Sequence, residues 1–478
     1  MVKKPLMATR KRRASRSSKT SSADRHAAAK RAAADLVQDL RGRGIDRAKI
    51  GGFDIDGVLR GKYVSLDKLE SALGKGFGFC DVIFGWDVAD ALYDNVKLTG
   101  WHTGYPDAQA VLDPSTLRNV PWEPGVAAML ADFRVDDGSP HPACPRSLLK
   151  RVIARAEKLG FRPMVGAEYE FYMFKETRDS LQEKAFRRLS PLDPGMFGYS
   201  WVRSGQDAEL MRDIIQGLRD FDIELEGLHT ETGPGVYEGA IRFDDALKTA
   251  DRAALFKVAM KQIAHRHDVA VTFMAKWNGA LPGSSGHLHQ SLWQGDENAF
   301  IDAKGTGMSK LMQQYLAGQV ALMPELTAMV SPTINSYKRY VPGVWAPLVA
   351  CWGVENRTCS CRVIGLGQGS ALRIEHRQPA ADMNPYVALA ATLAAGLWGI
   401  EKGLSLPPET RGDAGTDGPG RLPRTLREAT ERFAASKAAR ALFGSEFVDH
   451  YASTRAWEVR EYDKAVTDWE LARYFEVI

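Results

Sequence analysis

Three short segments of this chain alternate charged and apolar side chains with a period of two. They are G-A-E-Y-E-F-Y-M-F (166–174), S-G-H-L-H-Q-S-L (285–292) and L-R-I-E-H-R (372–377). In a β-strand, residues i and i+2 share a face. The pattern therefore aligns Glu168 with Glu170, His287 with His289 and Ser291, and Arg373 with Glu375 and Arg377. Any one segment also reads as an ordinary half-exposed strand. Together they put three carboxylates, two imidazoles and two guanidiniums on strand faces. That constrains the chain to a fold with a substantial sheet carrying polar chemistry on one side.

Between the first two segments lies E-T-G-P-G-V-Y-E (231–238), a turn bracketed by the carboxylates of Glu231 and Glu238. Carboxylates with a histidine suit hard divalent cations, which prefer oxygen ligands. Arginines on the same faces suit bidentate capture of carboxylate and phosphate. Acidic ligands beside basic anion clamps point to phosphoryl transfer, where positioning and charge neutralisation carry most of the catalysis. The sequence contains neither G-x-x-x-x-G-K-[ST] nor a G-x-G-x-x-G that opens a helix, so a bound nucleotide must be held without those loops. No Ser-His-Asp or Cys-His nucleophile set can be read from the spacing.

At 478 residues the chain can bury a large core without disulfide or metal staples. Its five cysteines include no C-x-x-C pair, which argues for a reducing interior and a cytoplasmic location. Cys359 and Cys361 are expected as buried packing thiols. Residues 1–31 hold eleven Lys/Arg and one acid, a formal +10 against +4 for the whole chain, which leaves −6 for the rest. This tail has no apolar signal core and reads as disordered over its first two dozen residues. A surface-binding arm and organellar targeting are the other readings. Without interleaved aromatics, nucleic acid is not an expected partner beyond salt-sensitive, sequence-blind attraction. The most apolar run, 385–400, is about 16 residues. It falls short of the roughly 20 that a membrane span needs and reads as a buried helix.

Apolar spacing predicts a helix over 27–43 and strands over 49–55 and 61–66 about a turn at 54–57, with Asp54 and Asp56 as turn formers. The breaker cluster at 136–142 marks a boundary. A helix over 145–159 follows, with Pro in its first turn and Gly160 past its end. Strands and helices are then expected to alternate to the C-terminus, interrupted by a Gly/Pro/Asp-rich loop at 407–423. The division is a disordered basic tail at 1–34, an N-terminal domain at 35–140 and a catalytic domain at 141–478. Trp352 is expected in the core, and His229 and His376 away from the site.

The motifs G-A-E-Y-E-F (166–171), E-x-G-P-G-x-x-E (231–238), N-S-Y-K-R-Y-V-P-G-V-W-A-P (335–347) with N-R-T-C-S-C-R (356–362), and R-I-E-H-R (373–377) with N-P-Y (384–386) stand in one order and spacing. On these motifs the sequence resembles the glutamine synthetase family over about residues 47–478. The resemblance implies an α+β chain, with a small N-terminal β-grasp-like domain and a large catalytic domain of antiparallel sheet and helices. It implies a homo-oligomer of stacked rings with active sites between subunits. It also implies ATP-dependent phosphorylation of the glutamate γ-carboxylate, followed by displacement of phosphate by an amine. By position, Glu170, Glu231 and Glu238 would hold one Mg2+ or Mn2+. Glu168, His287 and Glu375 would hold the other. Arg339 and Arg377 match the arginines that grip glutamate. Arg357 and Arg362 match those on the transferring phosphoryl group and ATP. His289, Ser291 and Arg373 lie on the nucleotide side, and Gly283 beside the glutamate backbone.

The departures are specific. Ammonia-using members of the family carry a flap Glu that takes a proton from ammonium, and Trp345 stands at that position here. An indole cannot accept that proton, but it can line an apolar pocket or cover a cation. The Asp of the ammonium site matches Asp87, next to Trp86. Pro282-Gly283 replaces an Asn-Gly, which removes one contact to glutamate. The tyrosine that some bacterial members adenylylate has no counterpart at 403–408. The expected activity is therefore a ligase joining glutamate to an organic amine. A glutamine synthetase using ammonia is the alternative, and a non-catalytic scaffold the third reading, against which all six ligand positions being filled counts.

Overall fold

The computed structural model describes residues 22–416 and 420–478, so the tail reading falls outside the described residues up to 21. From there it is corrected: helix α1 (Ser22–Gly42) occupies the rest of the stretch expected to be disordered. Ala33, Val37 and Leu40 form a buried stripe at helical spacing, and that burial holds the helix against the first sheet.

β1 (Arg47–Phe53) and β2 (Leu59–Ser65) form an antiparallel hairpin. Asp54 makes its turn, one carboxylate oxygen accepting from the amides of Asp56 (3.0 Å) and Val58 (2.8 Å). The same turn is anchored further. Asp54 pairs with Arg60 at 2.8 Å, and Asp56 pairs with the buried Arg455 near the C-terminus. α2 (Leu66–Lys75) follows, capped by Ser65, then β3 (Phe77–Cys80), β4 (Asp107–Leu112), β5 (Arg118–Asn119) and β6 (Val126–Arg134). The order is β2-β1-β6-β4-β3, with β1 and β6 parallel at the centre, which is the β-grasp arrangement. One face of this sheet is packed by α1 and α2. The other contributes Phe53, Val126 and Leu130 to the large core of the rest of the chain.

The chain continues through α3 (Pro145–Lys158), β7 (Arg162–Phe174), α4 (Arg178–Glu183), α5 (Trp201–Gln206), α6 (Ala208–Asp220), β8 (Leu225–Thr230), β9 (Val236–Asp245), α7 (Ala246–His265), β10 (Ala270–Thr272), β11 (Gly286–Gln294), β12 (Glu297–Asn298), α8 (Lys310–Val330), β13 (Trp352–Val354), β14 (Cys361–Ile364) and β15 (Arg373–His376). These strands form one sheet in the order β13-β14-β15-β11-β7-β9-β8, with β10 on β7 and β12 on β11. All pairs are antiparallel except β13 with β14. Cys359, Cys361 and Trp352 are buried as expected.

The expected alternation of strands and helices ends at β15. Every described helix or strand after it is a helix: α9 (Pro385–Lys402), α10 (Leu426–Ala435), α11 (Lys437–Phe443), α12 (Ser445–Lys464) and α13 (Asp468–Tyr474). α9 is apolar on all sides, so it must be covered, and α3, α7 and α8 cover it. At the α8 crossing a Cβ on Gly318 would lie 2.7 Å from the Gly399 Cα, so the two backbones meet through glycines. Among the described residues no helix is long and apolar enough to cross a membrane.

Arg146 on α3 ties the first sheet to α7. It is buried and pairs with Asp113 (2.8 Å), Asp132 (3.0 Å) and Asp251 (2.8 Å). Removing one partner of a buried ionic network strands the others. Arg146→Met is therefore expected to cost about 3–5 kcal/mol in urea unfolding, and a loss under 1 kcal/mol would contradict this role.

Candidate active site

The second sheet gathers the charged segments by register. His287 on β11 lies opposite Glu168 on β7, and His289 opposite Glu375 on β15. Glu375 also faces Arg362 on β14, Glu170 faces Glu238 on β9, and Glu238 faces His229 on β8. Directly opposed residues point to the same side of a sheet. One face thus carries a row of ionisable groups across six strands, while Tyr169, Phe171, Leu288 and Ile374 alternate into the core behind it.

The row is electrostatically tight. Glu168 lies 3.0 Å from His289 Nε2 and 3.5 Å from His287 Nδ1, and His287 lies 3.4 Å from Glu375. Burial alone would raise the Glu168 carboxyl, but His289 and His287 hold it far below the usual carboxylate range. Burial also opposes ionisation of Glu375, which His287 and Arg377 keep below its ordinary value. His287 is desolvated and faces Arg377, yet Glu168, Glu375 and Glu170 raise its pKa. Glu170 goes the other way: burial, with Glu238 adding to it, pushes it up to about 7.

Two groups of side chains offer ligand atoms within 4.8 Å of one another: Glu168, Glu238 and His287, and Glu168, His289 and Glu375. Carboxylates mixed with imidazole fit Mg2+ or Mn2+. The raised Glu170 fits too, because a nearby cation would favour its ionised form. The grouping differs from the expected one. His289, expected on the nucleotide, stands among the ligand atoms. Glu170 and Glu231 stand outside both groups; Glu170 accepts from the Ser285 amide at 2.7 Å and Glu231 from the Thr232 amide at 2.6 Å.

The arginines converge on the same face. Arg377 donates to Glu375 (2.5 Å) and to the Arg357 carbonyl, and Arg362 bridges Glu375 (3.2 Å) and Glu355. Arg373 donates to His289 Nδ1 at 3.1 Å. Arg339 is buried and donates to the Gln378 carbonyl (2.7 Å) and Ser285 Oγ (2.9 Å). Arg357 is exposed. Gly283 lets the chain pass close to Arg339: an added Cβ would lie 2.7 Å from its Cβ and 2.9 Å from the Ala275 carbonyl oxygen. A cavity of about 330 Å3 adjoins the row, lined by Glu168, Phe243, His289, Ser291 and Arg373 among others. The Ser291 hydroxyl accepts from the Trp293 indole at 2.9 Å.

Two expected site residues make no contact with the row within this chain. Asp87 accepts from the amides of Ala89 and Ala91 and from the Trp457 indole at 3.0 Å, docked against α12. Trp345 stands on the loop after Asn335–Arg339 and is 67% exposed.

Three residues at the site were not singled out as such by the sequence. His229, expected away from it, bonds Glu238 at 3.2 Å and rises above its usual pKa through that bond. Tyr199 stacks on His229 at 4.5 Å between ring centres, from a loop with no local signal. Glu355 pairs with Arg362. The alternation of His229 and Glu231 two positions apart was the one available cue. His376 is buried in the core, as expected.

The glutamine synthetase catalytic domain model matches residues 142–474. The chain is 48% identical over 438 residues to type-1 glutamine synthetase 2 of Dictyostelium discoideum, covering 90% of this chain and 84% of that protein. It is 40% identical over 440 residues to a glutamate–isopropylamine ligase of a Pseudomonas species, covering 91% and 96%. It is also 40% identical over 434 residues to the gamma-glutamylethanolamide synthetase GlnA4 of Streptomyces coelicolor, covering 90% and 93%. The solved structure of a GmaS/ADP complex superposes with a TM-score of 0.79 at 29% identity, covering 92% of this chain and 99% of that one. The α+β architecture, the row of carboxylates and histidines and these likenesses agree: the chain belongs to the glutamine synthetase family.

Proposed function

We propose that this ATP-dependent glutamate ligase uses an organic amine in preference to ammonia and forms a γ-glutamyl amide. The observation that carries the reading is Trp345, an exposed indole where ammonia-using relatives hold a proton-accepting Glu. Relatives named for isopropylamine and ethanolamine, each 40% identical, support it. The 48% identity to a protein named as a glutamine synthetase favours ammonia as the second reading.

In this reading ATP phosphorylates the γ-carboxylate of glutamate. The amine nitrogen then attacks the acyl carbon, phosphate leaves, and the amine loses a proton. Arg339 and Arg377 orient the glutamate carboxylates, with Gly283 leaving room beside Arg339. Arg357 and Arg362 neutralise the transferring phosphoryl group. Arg373, His289 and Ser291 border the nucleotide. Glu170, Glu231 and Glu238 would hold one divalent cation, and Glu168, His287 and Glu375 the other, with Glu168 near enough to Glu238 to take part on both sides. When bound, the cations neutralise phosphate charge and favour in-line transfer. Asp87 and Trp345 complete the amine side across a subunit boundary in a homo-oligomer of stacked rings.

Glutamate-dependent ADP release, compared for ammonium and for isopropylamine or ethanolamine, tests the reading. Higher kcat/KM with an organic amine supports it, and a preference for ammonium contradicts it. Metal binding gives a second test. Glu170 titrates near 7, so it is mostly protonated at pH 6 and mostly ionised at pH 8. The apparent Mn2+ affinity, read by calorimetry, should rise about tenfold or more between those pH values. An affinity independent of pH would exclude Glu170 as a ligand.

A further inference from the structure

A cavity of about 680 Å3 lies between the first sheet and α7. It is on the far side of the second sheet from the carboxylate row. β7 fixes this: Lys257, on the cavity wall, sits 5.0 Å from the ring centre of Tyr169, which alternates with Glu168 and Glu170. Met129, Leu130, Phe221, Leu255, Val258 and Phe273 make the wall largely apolar.

Lys62, Arg118, Lys257 and Lys261 also line the cavity, and among the described residues none of the four has a carboxylate within 4.0 Å. Lys257 donates to the Met383 carbonyl at 2.6 Å, and an ammonium has two further donors. Arg118 is buried and donates to the carbonyls of Thr116 and Phe221. The acids on the wall offset these charges only in part, Asp382 favouring the Lys257 cation against the burial that pushes it down to about 7. Asp56 is paired with Arg455. Asp382 accepts from Thr333 (2.7 Å) and Ser336 (2.8 Å), and burial pushes it toward its neutral form. Lys49, a further cation on the wall, is already paired with Glu123.

Arg118 and Lys257 are desolvated with, among the described residues, no carboxylate within 4.0 Å, which is unfavourable, and an entering anion relieves that cost. Lys257 and Lys261 stand one turn apart on the same face of α7. We propose that this cavity is a second ligand site, which takes a small carboxylate with an apolar body. The carboxylate rests on Lys257 and Lys261, and the apolar part fills the space between Met129, Phe221 and Phe273.

Calorimetry on the full chain without ATP or glutamate tests the site independently of turnover. The probes are 4-phenylbutyrate and its neutral amide. The carboxylate should bind one per chain, and the amide at least tenfold more weakly. Val258→Trp fills the cavity and should weaken the carboxylate tenfold or more. Lys261 is exposed, so Lys261→Glu should do the same at an unchanged melting temperature. Equal binding of acid and amide, affinity unchanged in both variants, or no binding at millimolar probe would each overturn the proposal.

Discussion

Glu168→Ala should lower kcat for glutamate-dependent ADP release by at least about 10^3-fold, because the cations it helps hold contribute several kcal/mol at about 1.36 kcal/mol per tenfold. Glu168 contacts both histidines and belongs to both candidate cation groups. Its loss leaves His287 with Glu375 and, among the described residues, His289 with no carboxylate within 4.0 Å. Its neighbours Ala167 and Tyr169 point into the core, so the strand itself stays packed. A melting curve close to wild type, with turnover lost, is the expected pair of results. Turnover within tenfold of wild type would remove Glu168 from the machinery.

Trp345→Glu should shift the ratio of kcat/KM for ammonium over organic amine by on the order of 10^2-fold toward ammonium, the low end of what a positioned general base contributes. The substitution restores a carboxylate where ammonia-using relatives have one. It also removes an apolar surface that an alkyl group would use. Trp345 is exposed, so the exchange leaves the core untouched. The ratio is the informative quantity, because a general loss of activity would lower both terms together. A ratio unchanged within twofold would mean that Trp345 only packs the flap.

The strand segments were legible because the β period is short and local. Glu168, Glu170, His287, His289, Arg373 and Glu375 could be assigned to faces from alternation alone. What alternation cannot supply is register. That Glu238 faces Glu170 and His229 depends on a bulge between Val165 and Ala167 and on the β8–β9 pairing, neither of which leaves a local mark. His229 was misplaced for that reason. Tyr199 was missed because a positive-φ loop residue reaches the site through tertiary packing. The extent of α1 was underestimated because a Lys/Arg/Ala-rich stretch reads as solvated until Val37 and Leu40 are seen to be buried. The helical C-terminus was misread because a run of helices without intervening strands resembles alternation once short apolar segments are counted as strands.

The preference for an organic amine over ammonia is tested most directly by mass spectrometry of products. The full-length protein is incubated with glutamate, ATP, magnesium and an equimolar mixture of ammonium, isopropylamine, ethanolamine, an aniline and a polyamine. A γ-glutamyl amide of an organic amine as the main product, with glutamine a minor one, is the predicted result. Glutamine as the main product would contradict it.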